Sequence, residues 1–283
     1  MPRPLRPIDD GLVYHVINRG NNRQDVFHKP ADFQAFRSAL AELKERKPFE
    51  LYGYCLLNNH FHLLLRPTGS TISRIMQSLL VSHTQRYHRH YRSGGHVWQG
   101  RFKSPVIQTD EHLLAVLRYI EANPLRASLV KRADEYPWSS YRMHGLGEAD
   151  DLIDPLITYD ELSPLAKVRQ RKWAEKVHLP MDKEIVDAIR RSSATGLPYG
   201  DEAWVKRLAK RLKLDLTIRP RGRPRKSVIG RKKGTGTFSA ARWGQTWYVA
   251  ECHAHKPLVI VAARLASAHG PDDSSAGIVS ARV

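Results

Sequence analysis

The stretch from Phe49 to Arg66 constrains the fold most: two apolar runs, FELYGYCLL and HFHLLLR, flank the two-residue polar step Asn58-Asn59. Such runs around a short turn predict an antiparallel hairpin, although Asn-Asn is a weaker turn signal than Asn-Gly. Upstream, LVYHVIN from Leu12 to Asn18 reads as a strand, and Arg19-Gly20-Asn21-Asn22-Arg23 as a turn-rich basic loop. Phe33, Phe36, Leu40 and Leu43 recur at helical spacing, so Asp32 to Lys47 should be an amphipathic helix closed by Pro48. A second helix is expected from Ser70, its N-cap, through Ile72, Ile75, Met76 and Leu79 towards Tyr91, broken by Ser93-Gly94-Gly95. HVWQGRFKSPVIQ then has the content of a strand pair or an extended segment. A third helix should start near Thr109-Asp110-Glu111 and end at Asn123-Pro124, because the residue before proline avoids αR. The order strand, helix, hairpin, helix, strand, helix is α+β, and its simplest packing is an antiparallel sheet covered by helices in a ferredoxin-like arrangement.

Beyond Trp138 the composition shifts. Gly145 to Pro155 is acidic and loop-like, and helical stretches follow around Leu165 to Lys176, Lys183 to Arg191 and Glu202 to Leu212. Arg219 to Lys233 is rich in Arg and Lys and holds no acid. The balance of 46 Lys+Arg against 28 Asp+Glu, a net charge of +18, favours a polyanionic partner. No apolar run suits a membrane span, and Met1 to Asp10 has no signal-like apolar core, so a cytoplasmic, nucleoid-associated location is expected. Cys55 and Cys252 are too few and too far apart for a disulfide framework or a zinc cluster, so any metal must use other ligands.

His60 and His62 offer such ligands. In a strand they project from one face while Phe61, Leu63 and Leu65 project from the other. An isolated His-x-His in an apolar strand is more commonly a pair of satisfied, half-buried side chains, and two imidazoles leave a metal site incomplete. Tyr119 and Asn123, four residues apart, share a helix face, and an Asn oxygen is a suitable ligand for Mg²⁺ or Mn²⁺. Taken singly, Tyr119 reads as a packing residue and Asn123 as a helix terminator.

The combination does more. YHVINRGNNRQDVF from Tyr14, YGYCLLNNHFHLLLRP from Tyr52, HVWQGRFKS from His96, RYIEANPLRASLV from Arg118 and YPWSSY from Tyr136 resemble the REP-associated tyrosine transposases, which belong with the HUH single-tyrosine transposases. A weaker likeness, GLPYGDEAWVKRLAKRL and RGRPRK, extends to Lys226. The resemblance implies a catalytic domain over 1–145; composition adds a helical appendage over 146–218 and a basic AT-hook-like segment over 219–233, and leaves a tail over 234–283 unassigned. It also implies that His60 and His62 bind the metal, that Asn123 supplies the third polar ligand and that Tyr119 is the nucleophile. The chemistry implied is cleavage and rejoining of single-stranded DNA at hairpins of repetitive extragenic palindromes, through a 5′-phosphotyrosine, by a monomer or homodimer.

His112, seven residues before Tyr119 on the same helix face, is a candidate base. Arg19, Arg23, Arg101, Lys103 and Arg126, with Arg86, Arg89 and Arg92, could neutralise phosphates, while Tyr87, Tyr91, Trp98 and Phe102 could stack on bases. Arg221, Arg223 and Arg225 resemble an AT-hook core suited to a narrow minor groove. A non-catalytic DNA-binding protein and a metal-dependent nuclease are the rival readings.

Overall fold

The computed structural model describes residues 11–109 and 111–214. The basic segment with Arg221, Arg223 and Arg225, the tail over 234–283, and Asp110 lie outside the described residues.

Strand β1 (Val13–Arg19), helix α1 (Pro30–Arg46), the hairpin β2 (Phe49–Leu57) and β3 (His60–Pro67), helix α2 (Ile72–Tyr91) and the short β4 (Val106–Ile107) follow in that order. The sheet runs β2-β3-β1-β4 with every neighbouring pair antiparallel, the expected ferredoxin-like order. The pleat divides the apolar residues. Phe61, Leu63 and Leu65 join Tyr14, Val16 and Leu56 in the cluster that α1 and α2 cover with Phe33, Phe36, Leu40, Ile75 and Leu79. Leu64, Val13, Cys55 and Leu57 meet helix α3 (Glu111–Glu121) on the other side, through Leu113, Val116, Leu117 and Ile120. His60 and His62 belong to this second face, and α3 brings Tyr119 to them.

Gly53 sets how closely α3 can approach. A Cβ there would stand 2.3 Å from Leu117 Cδ1, so with any larger residue either the Leu117 side chain or the helix must shift. A β-bulge between Leu51 and Gly53 corrects the register in the same stretch.

Three local expectations differ from what is observed. Thr71, not Ser70, caps α2, its hydroxyl accepting from Arg74 N at 3.3 Å; both residues carry a capping hydroxyl, and local sequence does not separate adjacent candidates. The segment after His96 yields the two-residue β4 and isolated bridges of Gly20 with Trp98 and Ile17 with Lys103, in place of a strand pair. Gly100, at φ +74°, and Pro105, which has no N–H, break the ladder there. Pro124 does not end helical structure: Ala122 stays in αR and a short turn α4 (Asn123–Arg126) follows. Proline falls in the first turn of α4, where a missing N–H costs no helical bond.

Downstream, a π-turn over Arg142–Leu146 leads to α5 (Ile157–Asp160), α6 (Ala166–His178), α7 (Lys183–Thr195) and α8 (Glu202–Leu212). Trp173 and Val177 of α6 and Ile189 of α7 share the apolar cluster of α3, and Leu208 of α8 joins the opposite cluster. Helices α6 and α7 therefore buttress the helix that carries Tyr119. No described helix is long and apolar enough to cross a membrane.

Candidate active site

The hairpin places the two imidazoles. His60 and His62 lie two residues apart on β3 with ring centroids 5.1 Å apart at 76°. Asn59, in the turn, accepts from His60 Nδ1 at 2.6 Å. An amide oxygen only accepts, so the His60 proton sits on Nδ1 and the Nε2 lone pair is left for another partner. Burial, then the positive charges of Arg19 and Arg126, pull the His60 pKa down to about 3. His62 is held well below the usual range by burial and then by its histidine and arginine neighbours. Both rings are thus neutral at physiological pH, the form that can donate a lone pair to a metal.

Tyr119 is buried against this pair, its ring edge-on to His62 with centroids 6.0 Å apart. Arg126 covers the tyrosine: its guanidinium carbon lies 3.8 Å from the ring centroid, and Nη1 donates to the Tyr119 carbonyl at 3.0 Å. Asn123 is buried beside them. Its Nδ2 donates to the carbonyls of Tyr119 and Ile120, and its Oδ1 accepts from Arg126 Nη2 at 3.1 Å. The oxygen expected to serve as third ligand is therefore engaged by Arg126. Among the described residues no group of three His, Cys, Asp or Glu is placed to hold a metal, so the two histidines need a donor of another kind.

Arg19 closes the other side. It is half-buried, and burial followed by the charge of Arg23 lowers its pKa, while Tyr119 acts in the opposite direction. Among the described residues neither Arg19 nor Arg126 forms an ion pair with a carboxylate. Two positive charges beside a buried tyrosine make a site that favours an anion.

The remaining candidates separate. Arg23 and Arg101 are exposed, as are Arg86, Arg89 and Arg92. Arg101 lines a groove of about 430 Å³ with Asn21, Thr84, His96 and Trp98, and an adjoining hollow of about 340 Å³ reaches Tyr87 and His88. Lys103 directs its ammonium to the Ala194 carbonyl at 3.1 Å. Trp98 and Phe102 are core residues, Trp98 packing against Phe61 and His83, so neither is a free stacking platform. Tyr87 and Tyr91 keep partly exposed rings, the Tyr91 hydroxyl donating to Asp32. His112 faces Tyr199 and Asp201 two helical turns from Tyr119, about 10 Å along the axis, which removes it as a base.

Two residues that sequence reasoning passed over complete the surroundings. His15, fully buried on β1, has Nε2 at 2.9 Å from His62 Nδ1. Its signal was present in the strand alternation, which puts His15 on one face with Ile17 and Arg19. Glu121, also fully buried, accepts from Ser140 Oγ, His144 Nδ1 and Trp173 Nε1 at 2.5, 2.7 and 2.7 Å. It ties α3 to three later segments.

Residues 10–123 match the family described as IS200-like transposase. A REP-associated tyrosine transposase homologue of Haemophilus influenzae is 31% identical over 118 residues, covering 38% of this chain and 66% of that protein. The REP-associated tyrosine transposase of Escherichia coli is 24% identical over 136 residues, covering 47% of this chain and 78% of the relative. A solved structure of such a transposase bound to a REP hairpin aligns with a TM-score of 0.44 at 21% identity, over 55% of this chain and 95% of the other. The matched residues hold the whole sheet together with His60, His62, Tyr119 and Asn123, so fold and candidate site both lie in the stretch similar to IS200-like transposases. Within that class the relatives it resembles are REP-associated tyrosine transposases. It spans just under two thirds of the length of the Haemophilus relative.

Proposed function

We propose that this protein cuts and rejoins single-stranded DNA, with Tyr119 as nucleophile and with His60 and His62 holding Mg²⁺ or Mn²⁺. The observation that carries the reading is the convergence of a buried tyrosine and two neutral imidazoles from different elements, centroids 6.0 Å apart for Tyr119 and His62, beside two arginines without carboxylate partners among the described residues.

A phosphodiester resists attack because its charged oxygens repel nucleophiles. The donor set fits a divalent ion: His60 presents Nε2, His62 lies beside it, and Asn123 could add Oδ1 on exchanging its bond from Arg126. An ion held there would supply charge neutralisation and orientation of the scissile group. Arg19 and Arg126 bind the flanking phosphate oxygens, and α3 holds the phenol against the scissile phosphorus. Attack by Tyr119 Oη forms an oxygen–phosphorus bond, breaks the bond to the 3′ oxygen and releases the phenolic proton. A 5′-phosphotyrosine and a free 3′-OH result. The bond is conserved in the linkage, so a 3′-OH can attack it and rejoin the strand without ATP. The substrate we propose is a hairpin of a repetitive extragenic palindrome with a single-stranded flank, after the association carried in the relatives' names. Exposed Arg101, which lines the groove with His96 and Trp98, and exposed Arg23 suit such a flank.

The test is incubation with hairpin DNA and Mg²⁺ or Mn²⁺, then denaturing electrophoresis. A DNA-linked protein band that vanishes with EDTA and in Tyr119→Phe supports the reading. Cleavage with no such band points to a water-activating nuclease, and binding without cleavage to a DNA-binding protein.

A further inference from the structure

We infer that His15 is a positioning residue: its bond to His62 fixes the orientation and tautomer of that imidazole and so sets the metal affinity of the His60/His62 pair. The inference rests on the metal reading proposed above. Ile17 pairs directly with His62 across β1 and β3, and His15, two residues earlier on the same face, reaches His62 diagonally. Its Nε2 stands 2.9 Å from His62 Nδ1, and the two rings lie nearly parallel, 23° between planes with centroids 5.1 Å apart. Both rings are fully enclosed or nearly so, and His15 has no other ring contact than His62 and Tyr119 among the described residues.

The geometry restricts what His62 can do. With Nδ1 taken by His15, only Nε2 can face an ion. Nε2 offers its lone pair when the His62 proton sits on Nδ1 and is donated to His15 Nε2. His15 must then carry its own proton on Nδ1. That nitrogen is buried and has no hydrogen-bond partner among the described residues. In the opposite arrangement His15 Nε2 donates to His62 Nδ1, and the buried Nδ1 of His15 is a bare lone pair, cheaper to leave unmet than an N–H. An ion held at His62 Nε2 would select the first arrangement, in which His62 Nδ1 donates to His15 Nε2. His15 thus aims the ligand and supports its affinity, as the partner of a ligating imidazole characteristically does.

The experiment uses the full chain. Mn²⁺ binding is followed by the electron paramagnetic resonance of the free ion, and histidine tautomers by long-range ¹H–¹⁵N correlation with and without Mg²⁺. In the wild type, Mn²⁺ binding should depend on His62, and Mg²⁺ should leave both His62 and His15 protonated at Nδ1. His15→Phe, which keeps a ring but no acceptor, should weaken Mn²⁺ binding about 10-fold or more. His15→Gln, which restores an acceptor oxygen, should recover most of it, with thermal stability tracked separately. Unchanged Mn²⁺ affinity in His15→Phe, or a His15 protonated at Nε2 in the Mg²⁺-loaded wild type, overturns the inference; the second readout needs no variant to fold. A wild type whose Mn²⁺ binding is indifferent to His62→Ala overturns the metal reading itself, and this inference with it.

Discussion

Arg126 stacks its guanidinium 3.8 Å over the ring of Tyr119 while donating to the Tyr119 carbonyl and to Asn123 Oδ1. One side chain thus clamps Tyr119, the proposed nucleophile, and the neighbouring amide. Arg126→Lys retains a charge but loses the planar fork, so covalent adduct formation should fall about 100-fold, the size of loss a small misplacement of a reacting group produces. Single-turnover adduct formation checks this. A lysine variant with the wild-type rate would show that charge alone matters.

Glu121 is the second anchor of α3. Its carboxyl group is fully buried and accepts from Ser140, His144 and Trp173. Glu121→Ala would leave three buried donors without an acceptor and should cost about 3–5 kcal/mol. Urea unfolding measures it. A loss under about 1 kcal/mol would mean that those donors find other partners.

Gly53 tests the spacing between sheet and helix. Gly53→Ala puts a methyl group 2.3 Å from Leu117 Cδ1, two residues before Tyr119. Overpacking of this kind costs about 1–3 kcal/mol. The expected result is a lowered Tm together with slower adduct formation, because the helix that must yield is the one bearing Tyr119, the proposed nucleophile. Full activity in a destabilised protein would show that Leu117 adjusts alone.

The acid side of the stability profile should carry the signature of His83. Burial lowers its pKa to about 4 although Val26 O accepts its hydrogen bond. A depressed histidine pKa means that the unfolded chain binds the proton more readily. The stabilising contribution is complete above the unfolded pKa of about 6.5 and is lost as pH falls towards 4, about 3 kcal/mol from this residue. Unfolding free energy measured between those pH values should decline less steeply in His83→Gln. Equal slopes would remove His83 from the account.

Much of the fold was legible because its signals are local. Two-residue alternation in HFHLLL determines that His60 and His62 share a face, whatever the sheet packs against, and helical spacing in α1, α2 and α3 determines their apolar stripes. The order of elements then leaves few ways to cover one sheet. The adjacent-residue error at Ser70 and Thr71, and the strand pair expected after His96, mark where neighbouring residues offer equivalent local chemistry or where Gly100 and Pro105 interrupt pairing.

What the amino-acid order determined by itself was therefore the hairpin, the paired histidines, the helix with Tyr119 and the excess of basic charge. Tertiary structure decided what each group touches. Strand register, a property of two segments 47 residues apart, put His15 against His62. The turn after α3 folded Arg126 back over Tyr119 and onto Asn123. Packing of α6 and the π-turn against α3 enclosed Glu121. The physical reason is that periodicity encodes which face a side chain takes, whereas hydrogen-bond partners depend on distances between elements that only the assembled core sets.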